Sequence, residues 1–164
     1  MDKLQKIKQE SAVVTYKSWL TISPPKATKL LRKVDTIEQS IEAHTPTLSL
    51  MRKEKGDDYV ESYIKLWIID FQASLNLKTK LSEFQIDALA EMLLSDFWGL
   101  TISDVKNVLT WAKKGVYGEF YESLSIHKMY KWFAEYFDER CEVYAMRTQR
   151  EHDIIKKELE RGRK

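Results

Sequence analysis

Apolar residues along this chain recur at steps of three and four, and the segments they mark read as helices. Between Lys26 and His44, Leu30, Val34, Ile37 and Ile41 fall on one face, which predicts a single helix closed by Thr45-Pro46. From Asp57 or Asp58 as cap, Val60, Tyr63, Ile64, Trp67, Ile68, Phe71 and Leu75 continue the same spacing over about five turns, so this segment is expected to be the central core helix. Asp70, inside that run, is expected on its exposed side, because a lone buried carboxylate is costly. Ser82 and Gln85 have the spacing of a capping box ahead of Phe84, Ile86, Leu89, Ala90, Leu93 and Leu94. Thr101 and Asp104 repeat it ahead of Val105, Val108, Leu109 and Ala112, with Gly115 as the stop. Ser125 caps a last helix whose face carries Met129, Trp132, Phe133, Tyr136, Phe137 and Arg140.

That last pattern runs on through Tyr144, Ile154, Ile155 and Leu159 with no proline, and a glycine comes only at Gly162. A helix from about Ile126 to Arg161 would be roughly 54 Å long, more than one domain of this size covers, so its end must project, fray or meet a partner. The ends of the chain are less regular. Leu4, Ile7, Val14 and Leu20 fit an irregular amphipathic helix, while Val13-Val14-Thr15-Tyr16 reads equally as a short strand. Ser23-Pro24-Pro25 is the clearest boundary, and Thr47 to Gly56 reads as a turn of helix and a loop. The expected fold is therefore all-α, a bundle of five or six helices with a long C-terminal helix. Its divisions are a basic N-terminal arm over 1–25, a helical domain over 26–144 and a helical extension over 145–164.

At 164 residues the chain suits one domain with a real core, to which five tryptophans and eight tyrosines supply much of the volume. Charge sharpens the picture. Residues 1–33 hold eight Lys or Arg against two acids (+6), residues 34–144 twelve against nineteen (−7), and residues 145–164 seven against four (+3). Basic ends on an acidic body suit ends that touch nucleic acid and a body that meets a basic protein surface, although solvated helix ends give the same pattern. The single Cys141 makes no internal disulfide, no apolar run approaches the length of a membrane span, and the start lacks a secretion signal, so a cytoplasmic protein is expected.

No chemistry names an activity. The five glycines form neither nucleotide-binding pattern, His44, His127 and His152 lack metal-ligand spacing, and no serine sits in a nucleophile elbow. Asp57-Asp58 and Asp138-Glu139 resemble the acid pairs of hydrolytic sites, but in a helical protein such neighbours are caps or solvated faces. No catalytic residue, metal ligand or cofactor is expected. Tyr117, Phe120, Tyr121, Trp132 and Tyr136, close to Lys113, Lys114, Lys128, Lys131 and Arg140, are the residue types of a single-strand stacking platform. Helical spacing makes the same rings core. Arg140 is expected to pair with Glu139 or to lie over a ring.

Leu100-Thr101 and Asp104, then Ala112-Lys113-Lys114-Gly115-Val116-Tyr117-Gly118 with Phe120-Tyr121, Leu124, and Trp132 ahead of Tyr136, Glu139 and Arg140, carry a resemblance. Over residues 81–140 the chain resembles a largely uncharacterised family of small helical proteins of bacteria, their phages and mobile elements. Ser125-Ile126-His127 stands where that pattern has an aspartate and a glycine. Members look like accessory proteins of DNA replication, in the manner of helicase loaders or plasmid initiators. The resemblance implies that Lys113, Lys114, Gly115, Tyr117, Gly118, Phe120, Tyr121, Trp132, Tyr136, Glu139 and Arg140 form a shared structural or interaction motif. It also implies a non-enzymatic adaptor that binds a larger protein, such as a replicative helicase, through its acidic body. Two alternatives stay open: a direct nucleic-acid-binding module, with Lys3, Lys6, Lys8, Arg147 and Arg150 as contacts, and a helical assembly protein.

Overall fold

The computed structural model describes residues 19, 21–119 and 123–163. Within them the chain is all-α, with seven helices: α1 (Pro24–Leu30), α2 (Ile37–Glu42), α3 (Leu48–Lys55), α4 (Asp57–Ala73), α5 (Glu83–Asp96), α6 (Ile102–Lys113) and α7 (Ile126–Gly162). The described residues contain no β-strand, only isolated bridges from Thr47 to Thr101 and from Thr79 to Ser123. The strand reading of Val13 to Tyr16 lies outside the described residues.

The additional helices come from two places where local chemistry overrides periodicity. Ser23-Pro24-Pro25 opens α1 instead of closing a helix, because the first positions of a helix need no N–H and suit the fixed φ of proline. The helix expected over Lys26 to His44 is divided between α1 and α2. Thr36 starts α2 with a capping box, its hydroxyl accepting from Gln39 N while the Gln39 side chain accepts from Thr36 N. Residues 31–36 between them are held open by α6. Lys106 Nζ donates to Val34 O at 2.6 Å, Trp111 Nε1 to Asp35 O at 2.9 Å and Asn107 Nδ2 to Thr36 O at 3.2 Å. The Val34 and Asp35 carbonyls lie where the helix breaks and are met by these side chains, while Thr36 O, which also accepts from Ser40 N at 3.0 Å, gains a second donor. Leu30 consequently faces solvent, and Ala27 and Leu31 enter the core in its place.

The segment read as a turn and a loop is the two-turn helix α3, capped by Thr47. Gly56 alone joins it to α4 at φ 87°, a left-handed conformation that glycine adopts without strain. Gly56 is thus the cap of α4, and Asp57 and Asp58 lie in its first turn, where they complement the helix dipole. The capping boxes of α5 and α6 and the Ser125 cap of α7 form as their spacing predicts.

The helix most fully enclosed is α6 and not α4. Every residue from Thr101 to Leu109 is buried, under α2 on one side and α7 on another. α4 packs on α5, with Lys65 Nζ 2.8 Å from Asp87 Oδ1 across the pair, and it leaves one face open. Asp70 lies half-buried at the margin of that face. α7 is 37 residues, about 55 Å, and packs on α5, α6 and α2 through its first half. Its last link to the body is Arg147 Nη1 to Glu42 Oε1 at 3.1 Å, after which residues 148–163 are all exposed.

Candidate functional site

α6 carries a polar cluster into the middle of the bundle. The Asp104 carboxylate, fully buried, accepts from Thr101 N at 2.9 Å, Ser40 Oγ at 2.7 Å, Tyr136 OH at 2.7 Å and Arg140 Nε at 2.8 Å. Ser103 Oγ donates to Ser40 O at 3.2 Å and lies 2.8 Å from Thr45 Oγ1, so α2 and the segment after it are tied to the same point. Buried polar groups are tolerable when satisfied in this way. Burial pushes the Tyr136 hydroxyl well above the ordinary tyrosine range, and the neighbouring Asp104 adds to the shift. Burial also lowers the Lys106 ammonium below the usual lysine value, against the opposing pull of Asp35 at 3.6 Å. Arg140 therefore pairs neither with Glu139 nor with a ring. It lies one turn after Tyr136 and follows it toward α6, where Asp104 is the carboxylate in need of a cation.

The motif after α6 packs against this region. Tyr117 stacks on Trp132 with centroids 6.1 Å apart and planes at 14°, and Trp111 lies between Tyr117 (6.4 Å) and Tyr136 (5.1 Å). Tyr117 OH is enclosed without a hydrogen-bond partner among the described residues, and burial raises its pKa, with Glu139 and Glu135 contributing. Gly115 and Gly118 hold φ of 80° and 93°, with open space where a Cβ would stand, so backbone conformation and not close packing requires glycine there. Lys113 Nζ sits over the Phe71 ring at 5.7 Å, and Lys114 Nζ is 3.6 Å from Asp35. Shallow clefts of about 280 and 230 Å³ flank this turn, the first beside Leu77, Lys113 and Lys114, the second beside His127, Lys131 and Glu135.

The structure thus brings together Lys113, Lys114, Gly115, Tyr117, Gly118, Trp132, Tyr136 and Arg140 of the motif, while Glu139 stays on the surface. Trp132 and Tyr136 are core residues and present no ring to solvent for stacking. Phe120, Tyr121, Lys3, Lys6 and Lys8 lie outside the described residues. Arg147 is engaged by Glu42, whereas Arg150 is exposed. Among the described residues no cluster of three or more His, Cys, Asp or Glu could hold a metal ion, and no described helix is long and apolar enough to cross a membrane.

Sequence reasoning missed the surface that stands out most. The open face of α4 runs through Ser62, Leu66, Ile69 and Ala73, all exposed and none charged, and Leu66 and Ile69 are 51% and 46% exposed. On α5 beside it, Phe84 is 86% and Met92 38% exposed. The signal was in the sequence: α4 carries apolar residues on more of its circumference than one core-facing stripe uses. Around them α4 and α5 hold eight acids against the single Lys65, a net charge of −7. Comparison with protein-family models, curated proteins and solved structures gives no match.

Proposed function

We propose that this chain is a non-enzymatic adaptor in DNA replication or mobile-element maintenance, and that it docks a larger protein, a replicative helicase being the first to test. One observation supports the docking: the uncharged, exposed stripe of α4, bordered by acids on α4 and α5. Helix faces that meet only water carry charges, and a contiguous apolar patch with a polar rim marks an interaction surface. Its acidic border favours a partner ridge whose apolar residues are edged by Lys or Arg. The replication setting comes from the family resemblance over residues 81–140.

The test is sedimentation of the full chain with the purified replicative helicase of its source cell, as wild type and as Leu66→Asp. A wild-type complex that weakens at least about tenfold in the variant supports the reading, that factor being about 1.4 kcal/mol. A complex indifferent to Leu66→Asp removes the α4 face from it, and no complex removes the helicase.

The second reading, direct nucleic-acid binding, is favoured by a different feature. Arg147, Arg150, Lys157 and Arg161 continue, at steps of three and four with Ile154, the line along which Met129, Trp132 and Tyr136 face the body. Anisotropy of labelled single- and double-stranded oligonucleotides at two salt concentrations distinguishes it, since phosphate binding falls steeply with salt.

A further inference from the structure

We propose that the exposed face of α1 and the turn after it is a binding surface for the phosphate backbone of a nucleic-acid duplex. This rests on the reading of the chain as a nucleic-acid binder and gives that reading a surface on the folded body, apart from the end of α7.

From Pro24 to Val34 the chain holds Lys26, Lys29, Arg32 and Lys33 and no acid. Pro24, Ala27 and Leu31 turn into the core, which leaves Pro25, Leu30 and those four cations as the exposed side chains of the segment. Among the described residues none of the four meets an acid or lies over a ring. Most Lys and Arg of the body do have such a partner: Arg52 has Asp57, Lys65 has Asp87, Lys106 and Lys114 share Asp35, and Arg140 has Asp104. The face of α1 is thus free charge on a formed element.

Its surroundings do not neutralise it. α1 packs on α4, and Thr28 shares a small hollow with Trp67, Asp70, Lys106 and Lys113. The acids that follow in the chain or lie across that seam, Asp35, Glu38 and Asp70, are matched in number by Lys106, Lys113 and Lys114. A charge of +4 therefore stands uncompensated on one short segment. Residues 1–23 ahead of it add Lys3, Lys6, Lys8 and Lys17 against Asp2 and Glu10.

The make-up of the face selects among anionic partners. A protein interface is built on an apolar core and a helix that lies in a membrane surface on an apolar face, whereas the apolar side chains exposed here are only Pro25 and Leu30. A single-strand platform needs rings, and residues 24–34 contain none. A duplex backbone asks only for closely spaced cations.

The experiment is fluorescence anisotropy of the full chain with labelled DNA and RNA duplexes of about 20 base pairs, and with the single strands, at about 50 and 200 mM salt. The wild type is compared with the fourfold variant Lys26→Ala, Lys29→Ala, Arg32→Ala, Lys33→Ala. Four phosphate contacts predict a fall of log affinity with log salt that is steeper by about 3 to 4 in the wild type, and binding at least about tenfold weaker in the variant at the lower salt. All four residues are exposed, so helical content by circular dichroism and the urea midpoint stay near the wild-type values. The double variant Arg150→Ala, Lys157→Ala, on the end of α7, should lose less than the α1 variant. If it loses as much or more, the assignment to α1 is overturned and the nucleic-acid reading stands. Tighter binding of the single strands than of either duplex overturns the choice of ligand. A wild type that binds no nucleic acid overturns both, and if it sediments instead with phosphatidylserine vesicles the face is a membrane contact.

Discussion

Replacing Arg140 with methionine isolates the interaction that fixes α7 on the body. In the native chain Asp104 is fully buried and holds four donors, of which Arg140 Nε is the only cation. Methionine keeps the aliphatic stem and removes the charge. Taking one partner from a buried ion pair costs about 3–5 kcal/mol when the remaining charge is fully isolated. Here Ser40, Tyr136 and the Thr101 amide still donate to the carboxylate, and the Arg140 side chain is itself 18% exposed. The smaller value for one hydrogen bond to a charged group, about 2–3 kcal/mol, is therefore the expected loss. For a chain of this length that lowers Tm by roughly 4–12 °C. Urea unfolding followed by tryptophan fluorescence and circular dichroism measures it, with Glu139→Ala as the exposed control, expected to change stability by less than about 0.5 kcal/mol. A loss in Arg140→Met no larger than in the control would refute the role given to the Asp104–Arg140 pair.

Two further outcomes follow from single groups. Tyr63 is buried, and burial pushes its pKa up from 10.0 to about 12, so the folded chain holds this proton more tightly than the unfolded chain does. That stabilisation is complete below pH 10 and is lost as pH rises from 10 to 12, roughly 2–3 kcal/mol in all. Tyr63→Phe should remove that part of the alkaline loss in urea titrations; an unchanged alkaline slope would dissociate Tyr63 from it. Gly115→Ala should cost about 1 kcal/mol through its positive φ with no steric clash to add, and Gly115→Asn less, both read from denaturation midpoints.

Local chemistry was legible and long-range chemistry was not. Ser82 with Gln85, Thr101 with Asp104, and the Ser125 cap are contained within four residues, and all three form. The break between α1 and α2 was half legible, since Thr36 and Gln39 have capping-box spacing, but the step-of-four pattern through Leu30 and Val34 ran across it. What holds the break open is Lys106, Asn107 and Trp111, some seventy residues away. The same holds for Asp104: its sequence neighbours explain the cap, whereas Ser40, Tyr136 and Arg140 come from other helices. Hydrophobicity misled in the ranking of helices. α4 is the richer in Ile, Leu and aromatics, yet α6, with Ser103, Asp104, Lys106 and Asn107 in its first two turns, is the one enclosed.

That inversion accounts for the surface properties of the molecule. A polar helix goes to the centre only if every donor and acceptor is met, and α6 meets them by drawing in α2, residues 31–36 and α7. α7 is thereby committed to α6 through Tyr136 and Arg140, at one register, since a shift of one turn would part both from Asp104. With α7 placed there, the α4–α5 pair packs on the remaining side, and α4 has more apolar circumference than that packing can use. The exposed stripe of α4 and the unsupported end of α7 are thus two results of one arrangement. Weakening the Asp104 cluster should then loosen α7 on the body, so Arg140→Met lowers stability, whereas Leu66→Asp, on an exposed face, should leave stability within about 0.5 kcal/mol.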